Sequence, residues 1–209
     1  MSPKMSFARG LDHFEQVTVL TLFVWLCIRL WPDEVAGFGV YPIMLLISEG
    51  IVVVFLVFRR RTQNISVNFK DWFVAFAGTF CALLVVNGGD PTSQPLMAQF
   101  GAFGLILGIV IHVGAKLSLR RSFGIVAADR GIKVGGMYRL IRHPMYLGYM
   151  LSHIGFLLIA PIFWNLIVYA ATWFFLLARV SAEERVLSRN PDYRTYMDKV
   201  KYRLIPSMF

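Results

Sequence analysis

The chain lacks the materials for several common architectures. It has two cysteines, Cys27 and Cys81, each inside an apolar run, with no C-x-x-C and no Cys/His cluster. That argues against a structural zinc site and a disulfide framework. Charge is scarce: 16% of the 209 residues are charged, against about 25% in soluble domains. Acidic residues are the scarcer sign, 12 against 21 basic, for a net charge of +9. There is no G-x-x-x-x-G-K-[ST], no G-x-S-x-G and no H-E-x-x-H, which removes the phosphate loop, the serine nucleophile elbow and the zinc-helix motif. Gly37-Phe38-Gly39 lacks the rest of a dinucleotide fingerprint and any βαβ pattern around it. No nucleic-acid module is present to use the positive charge.

What is abundant is apolar sequence: 57% of the residues are hydrophobic, and the mean hydropathy is +0.61. The pattern predicts an all-α polytopic membrane protein. Six apolar runs appear, about Phe14–Trp31 (stopped by Pro32), Pro42–Phe58, Asp71–Asn87, Met97–Leu119, Pro144–Ala160 and Pro161–Ala178. At a rise of about 1.5 Å per residue, runs of roughly 17–23 residues match a bilayer core. Gly88-Gly89-Asp90-Pro91 follows the third run, and the last two runs, joined at Pro161, read as a tight helical hairpin. Met1–Gln16 mixes Lys4 and Arg9 with Asp12 and Glu15, and the run behind it has no small-residue cleavage site, so it reads as a retained helix. The whole of 1–209 is expected to form one membrane domain, with N-terminal spans in 1–96 and a catalytic core in 97–209.

Six crossings place 20 of the 21 basic residues on one face, Arg29 being the exception. The positive-inside rule makes that face cytoplasmic, with both termini on it. The charge excess becomes a topology signal. Within the spans, Gly101, Gly104, Gly108 and Gly114 stand out on the fourth, where small residues permit close helix packing or leave room for a ligand. Glu49, His112 and Lys116 lie at membrane depth, which makes them functional candidates, although Lys116 is near enough to its helix end to snorkel.

Polar sequence is concentrated in Leu117–Tyr149 and Arg179–Pro206. A short hairpin between them brings its two cytoplasmic ends together, so Arg142-His143-Pro144 should lie beside Arg179 and Glu183-Glu184. Pro144 suits the first turn of a helix, leaving His143 at its N-cap, where free N–H groups favour an anion. Tyr146 and Tyr149 fit either an interfacial aromatic belt or the site. Arg179 and Glu183 share a helix face. Tyr193, Tyr196, Val200 and Leu204 recur at helical spacing among basic residues, as expected of an amphipathic interfacial helix serving as anchor or lid.

These residues carry a resemblance. Gly136-Met137-Tyr138, Arg142-His143-Pro144-Met145-Tyr146-Leu147-Gly148, Glu183-Glu184, Tyr193 with Tyr196, and Leu204-Ile205-Pro206 together resemble the integral-membrane methyltransferases, that is, the isoprenylcysteine carboxyl methyltransferases and the related phospholipid N-methyltransferases. The resemblance covers about Leu117–Pro206. It implies S-adenosylmethionine as cofactor, bound without a Rossmann domain, and a lipid or lipophilic small-molecule acceptor. On this pattern Arg130, Gly131, Ile132, Lys133, Tyr138, His143, Pro144, Met145, Tyr146 and Glu183 would bind the cofactor. Arg179 would reach towards a carboxylate acceptor, and Glu183 or Glu184 could take the proton of an amine. No metal is needed for in-line methyl transfer, which depends on alignment. Two other readings stand beside it: a nicotinamide-dependent membrane reductase of sterol-like substrates, and a non-enzymatic transporter or scaffold.

Overall fold

The structure, a computed structural model, describes residues 3–29, 41–86 and 94–206. Pro32, Gly37–Gly39 and Gly88–Pro91 lie outside the described residues. Among the described residues seven α-helices follow one another: α1 Pro3–Arg29, α2 Tyr41–Val57, α3 Phe69–Phe80, α4 Pro95–Leu119, α5 Pro144–Ile159, α6 Phe163–Leu187 and α7 Pro191–Lys199. There is no strand among the described residues; the single bridge joins Ile65 and Ala128.

Among the described residues three helical segments are long and apolar enough to cross a membrane: Ser6–Ile28, Pro95–Ser122 and Phe163–Leu187. Leu46–Val57 and Pro144–Ile159 are apolar but shorter. Large apolar side chains such as Phe69, Phe103 and Phe174 face outwards. A soluble monomer rarely exposes so much contiguous apolar surface; here it suits lipid.

Several expected boundaries shift, each for a local reason. The first helix starts at Pro3, well before Phe14, and Asp12 and Glu15 on it are paired inside the fold. The third run ends as a helix at Phe80, tightens into a 3-10 turn over Cys81–Leu84, and is then drawn out. Asn165 on α6 holds that extended chain, accepting from Val86 N at 2.9 Å and donating to Val86 O at 3.0 Å, while Trp164 donates to Leu84 O. The sixth helix continues past Ala178 to Leu187, so Arg179 and Glu183 belong to it without a break.

The close hairpin expected of the last two runs is only partly present. The turn between α5 and α6 is short, but α5 packs chiefly on α4, and α6 on α3. Glycines explain the first pairing. A Cβ on Gly101 would lie 2.7 Å from Gly155 O, and one on Gly148 would lie 2.6 Å from His112 N. The two backbones touch there, so these glycines serve packing and leave no ligand space. Gly104 is less crowded, with Gly155 Cα at 3.4 Å.

The polar segments gather at one end of the bundle. Arg60 N donates to Arg121 O (2.7 Å), Asp129 N to Asn64 O (2.9 Å), and His143 N to Arg203 O (2.8 Å). The start of α1 joins them through Asp12 and Glu15, and the start of α3 through Asp71, whose carboxylate meets Arg185 at 3.2 Å. The core beneath them includes Val19, Leu56, Ala115, Ile125, Met145, Leu176 and Val180.

Candidate functional site

Pro144 opens α5 at its first turn, with His143 as N-cap. The expected anion cradle is small, because Pro144 has no N–H and the His143 carbonyl already accepts from Tyr146 N and Leu147 N. What this helix start does present is its side chains. His143 Nε2 lies 3.3 Å from Glu184 Oε1, and the Tyr146 hydroxyl donates to Glu183 Oε1 in a very short bond. The predicted meeting of the two ends is therefore present.

The two glutamates differ in employment. Glu184 Oε1 forms an ion pair with Arg142, Nε at 2.9 Å, and lies 3.3 Å from His143 Nε2, and its Oε2 receives Arg203 at 2.9 Å. Glu183 Oε1 is taken by Tyr146 and by Arg179 Nε at 3.2 Å. Its Oε2 has only His143 Nδ1, at 3.7 Å, and the side chain is 20% exposed.

A pocket opens beside Glu183. Its walls include Ser122, Gly124, Arg130, Gly131, Ile132, Lys133, Tyr138, His143, Met145, Tyr146, Leu187, Tyr193 and Tyr196. Gly131 (φ +97°) and Gly136 (φ +59°) take left-handed conformations that a side chain would strain, which shapes the chain as it passes under the pocket. Arg130–Lys133, expected to bind the cofactor, is irregular and lines the pocket.

The C-terminal tail closes another side. Asn190 caps α7 by accepting from Asp192 N at 2.9 Å, and Pro191 stands at its first turn. The helix stops at Lys199, so the expected stripe from Tyr193 to Leu204 is not one helix: Val200 is extended and Leu204 lies beyond. Tyr193 and Tyr196 turn inwards onto the pocket rather than towards a membrane. The Tyr196 hydroxyl donates to Tyr138 O at 2.7 Å. The Tyr193 hydroxyl is buried with no partner. Burial pushes the Tyr138 phenol well up from its ordinary range, and the Glu183 charge adds to this. It pushes Tyr196 to about 12, with the positive Arg142 opposing. All three phenols are thus neutral donors at physiological pH.

Other predicted residues stand off the pocket wall. Arg179 is 3% exposed and is spent on Glu183, on Thr79 Oγ1 (3.0 Å) and on Gly124 O (3.1 Å), with its Cζ 5.3 Å from the centre of the Tyr146 ring. Glu184 and Pro144 do not line the pocket. Arg130 does, but its guanidinium turns to Asp12 (2.9 Å) and Glu15 (2.5 Å). Lys116 does not snorkel. It is fully buried, bound to Ser48 Oγ at 2.9 Å and Glu49 Oε1 at 3.1 Å, because α2 supplies partners nearer than the membrane surface.

The sequence reading missed the set that fixes the pocket loop. Glu15 Oε1 accepts from Ile125 N (2.8 Å) and Val126 N (3.0 Å), and its Oε2 takes Arg59 (2.7 Å) and Arg130. Asp12 pairs with the same two arginines. The signal was present: two acids three residues apart at the head of an apolar helix need buried partners. Among the described residues no cluster of three metal-ligating side chains occurs.

These features match a known pattern. The sequence model of the phospholipid methyltransferase family matches residues 97–193, a stretch that holds α4, α5, α6 and most of the pocket wall. The resemblance read from the motifs is therefore to this family of membrane methyltransferases. No curated protein matches the chain.

Proposed function

We propose that the protein binds S-adenosylmethionine in the pocket beside Glu183 and methylates a lipid-like or other membrane-soluble acceptor at the cytoplasmic membrane face. The observation that carries this reading is a pair of unspent polar groups on one wall: Glu183 Oε2 and the orphaned Tyr193 hydroxyl. Buried polar groups are normally satisfied, so the buried Tyr193 hydroxyl, with the partly exposed Glu183 carboxylate in the same tyrosine-lined pocket, asks for a ligand with its own donors and acceptors. The cofactor has them in its ribose hydroxyls, amino group and carboxylate, and when bound it supplies an electrophilic methyl group.

The chain's own residues do the rest. Glu183 accepts hydrogen bonds from the ligand at Oε2, held in place by Tyr146 and Arg179 at Oε1. Tyr193 donates, and the tyrosine rings exclude water. We assign Glu184 a positioning role, since both its oxygens are occupied in fixing Arg142, His143 and Arg203. Arg179, between Tyr146 and Thr79, holds Glu183 in place. The gathering of loops at one end supports six crossings, with α2, α3 and α5 the short ones and both termini cytoplasmic.

The test is an equilibrium titration of the purified protein in detergent with S-adenosylmethionine, and with NADPH as comparison. Saturable binding of the sulfonium is expected. Glu183→Gln should weaken it at least about tenfold, the worth of one charged hydrogen bond. Binding of NADPH alone, or sulfonium binding indifferent to Glu183, would overturn the reading.

A further inference from the structure

We propose that the cavity between the start of α1 and residues 61–64 is a second binding site, one that holds a phosphate group. It shares no lining residue with the pocket beside Glu183, and it does not rest on the methyltransferase reading.

The cavity measures about 560 Å³, within the range of small-ligand sites. One wall is a single face of α1, where Arg9, His13 and Gln16 follow at intervals of four and three. The opposite wall runs from Arg61 to Asn64. Gln16 is engaged, donating to Leu56 O at 2.6 Å. Arg9, His13 and Arg61 bring their donors to the one space. Guanidinium forks match phosphate oxygens in geometry as well as charge, and an imidazole offers an N–H in either protonation state.

One carboxylate, Asp12, also lines the cavity and would repel an anion if it stood unpaired. Its Oδ1 accepts from Arg59 at 3.0 Å and from Arg130 at 2.9 Å, and its Oδ2 from Thr62 N at 3.3 Å. Asp12 and Glu15 together balance Arg59 and Arg130, so that network is neutral as a whole. Among the described residues no other acid lines the cavity to answer Arg61. The wall is therefore positive.

The floor is held before a ligand arrives. Gln63, with its carboxamide turned to suit both its partners, accepts from Arg9 Nε at 2.7 Å. Thr62 Oγ1 donates to Asp129 O at 2.5 Å and accepts from Asn64 N at 3.0 Å, while Asp129 N donates to Asn64 O at 2.9 Å. A site with a fixed floor loses little ordering entropy on binding.

Depth favours a lipid as the source of the phosphate. Ser6–Ile28 is long and apolar enough to cross a membrane. Arg9 and Gln16 lie three and ten residues beyond its first residue, about 5 and 15 Å along the axis. The head-group layer takes about 5–8 Å on each side of the hydrocarbon. Phe7, Phe14 and Phe58, in the same stretches of chain, are exposed. The cavity thus spans the level where lipid phosphates sit, with apolar side chains beside it. Basic pockets between helices at this level receive anionic head groups. A water-soluble phosphate ester has the same chemistry, and the experiment separates the two.

The full chain, purified in an uncharged detergent, is titrated calorimetrically with short-chain phosphatidylglycerol and, separately, with glycerol phosphate. Saturable binding is expected. Tighter binding of the lipid identifies a head group as the source, and equal or tighter binding of glycerol phosphate identifies a free ester. Arg61→Gln, at an exposed position, should weaken the preferred probe at least about tenfold, the worth of one charged hydrogen bond. His13→Leu should weaken it about threefold. Lys70→Gln removes a charge from an exposed position outside the cavity and should leave affinity within about twofold. Matching thermal melts of the wild type and the three variants show that the fold is kept. No saturable binding of either probe, or equal weakening by Lys70→Gln and Arg61→Gln, would overturn the proposal.

Discussion

Two buried sets of carboxylates and arginines touch the loop between Ser122 and Lys133, and they differ in what they leave open. Around Asp12 and Glu15 all four carboxylate oxygens accept: from Arg59, from Arg130, and from the N–H groups of Thr62, Ile125 and Val126. Around Glu183 and Glu184 three oxygens are similarly held, and the fourth, Glu183 Oε2, has only His143 Nδ1 at 3.7 Å, on a side chain that lines the pocket. Charge and burial alone do not separate a structural network from a site. An unspent lone pair with room beside it does.

The comparison breaks most visibly if the first network is cut. Glu15→Ala leaves Arg59 and Arg130 with one fewer counter-charge and strands two backbone N–H groups. Removing one partner of a buried ion pair costs about 3–5 kcal/mol, so the variant should lose most of its folded population in a denaturant titration in detergent. Glu183→Gln should cost only about 1 kcal/mol, because the amide oxygen still accepts from Tyr146 and Arg179 keeps Thr79 and Gly124. Its loss should instead be in cofactor affinity. If the two variants exchanged these effects, the assignment of structure to one network and site to the other would be wrong.

A smaller effect separates packing from chemistry on α4 and α5. Gly148→Ala drives a Cβ to 2.6 Å from the His112 backbone, whereas at Gly104 the nearest atom is 3.4 Å away. The first should destabilise by about 1–3 kcal/mol, as overpacking does, and the second should be close to neutral. Parallel thermal melts check this. Equal cost at the two positions would mean that the helices relax apart, and that His112 is not fixed against Gly148.

Much of this was legible in the sequence where chemistry is local. Hydrophobic runs gave the helices, Pro144 gave a helix start, and the spacing of Arg142-His143 from Glu183-Glu184 across a short connection gave the convergence at the site. Sequence was silent where partners are remote. Asp12 and Glu15 read only as acids mixed with Lys4 and Arg9, yet their arginines stand at 59 and 130. Lys116 read as a membrane-depth cation free to snorkel because nothing along α4 announces Ser48 and Glu49 on α2. Tyr193 and Tyr196 were visible as a pair but not as a pocket wall, since which face of α7 turns inwards depends on where Arg203 and Tyr202 tie the tail to Arg142 and His143. Periodicity finds a face; only tertiary pairing says what the face meets.

The two tyrosines of α7 repeat the opening contrast on a finer scale. Tyr196 donates to Tyr138 O, while the Tyr193 hydroxyl has no partner. Burial raises both phenols, Tyr196 to about 12, from about 10 in an unfolded chain. A raised phenol favours the protonated folded state, so this contribution is complete below pH about 10 and is lost as pH rises from about 10 to about 12. Melting temperatures across that window should fall more steeply in the wild type than in Tyr196→Phe, which has no proton to lose. At pH 7 the order differs: Tyr196→Phe gives up a hydrogen bond and should melt lower, whereas Tyr193→Phe gives up none and should melt as the wild type does. Tyr193→Phe should nevertheless weaken cofactor binding, because the hydroxyl that the fold leaves unpaired is the one a ligand uses. If Tyr193→Phe lowers the melting temperature and leaves cofactor affinity intact, that hydroxyl belongs with the satisfied network, and the ligand contact falls to Glu183 Oε2 alone.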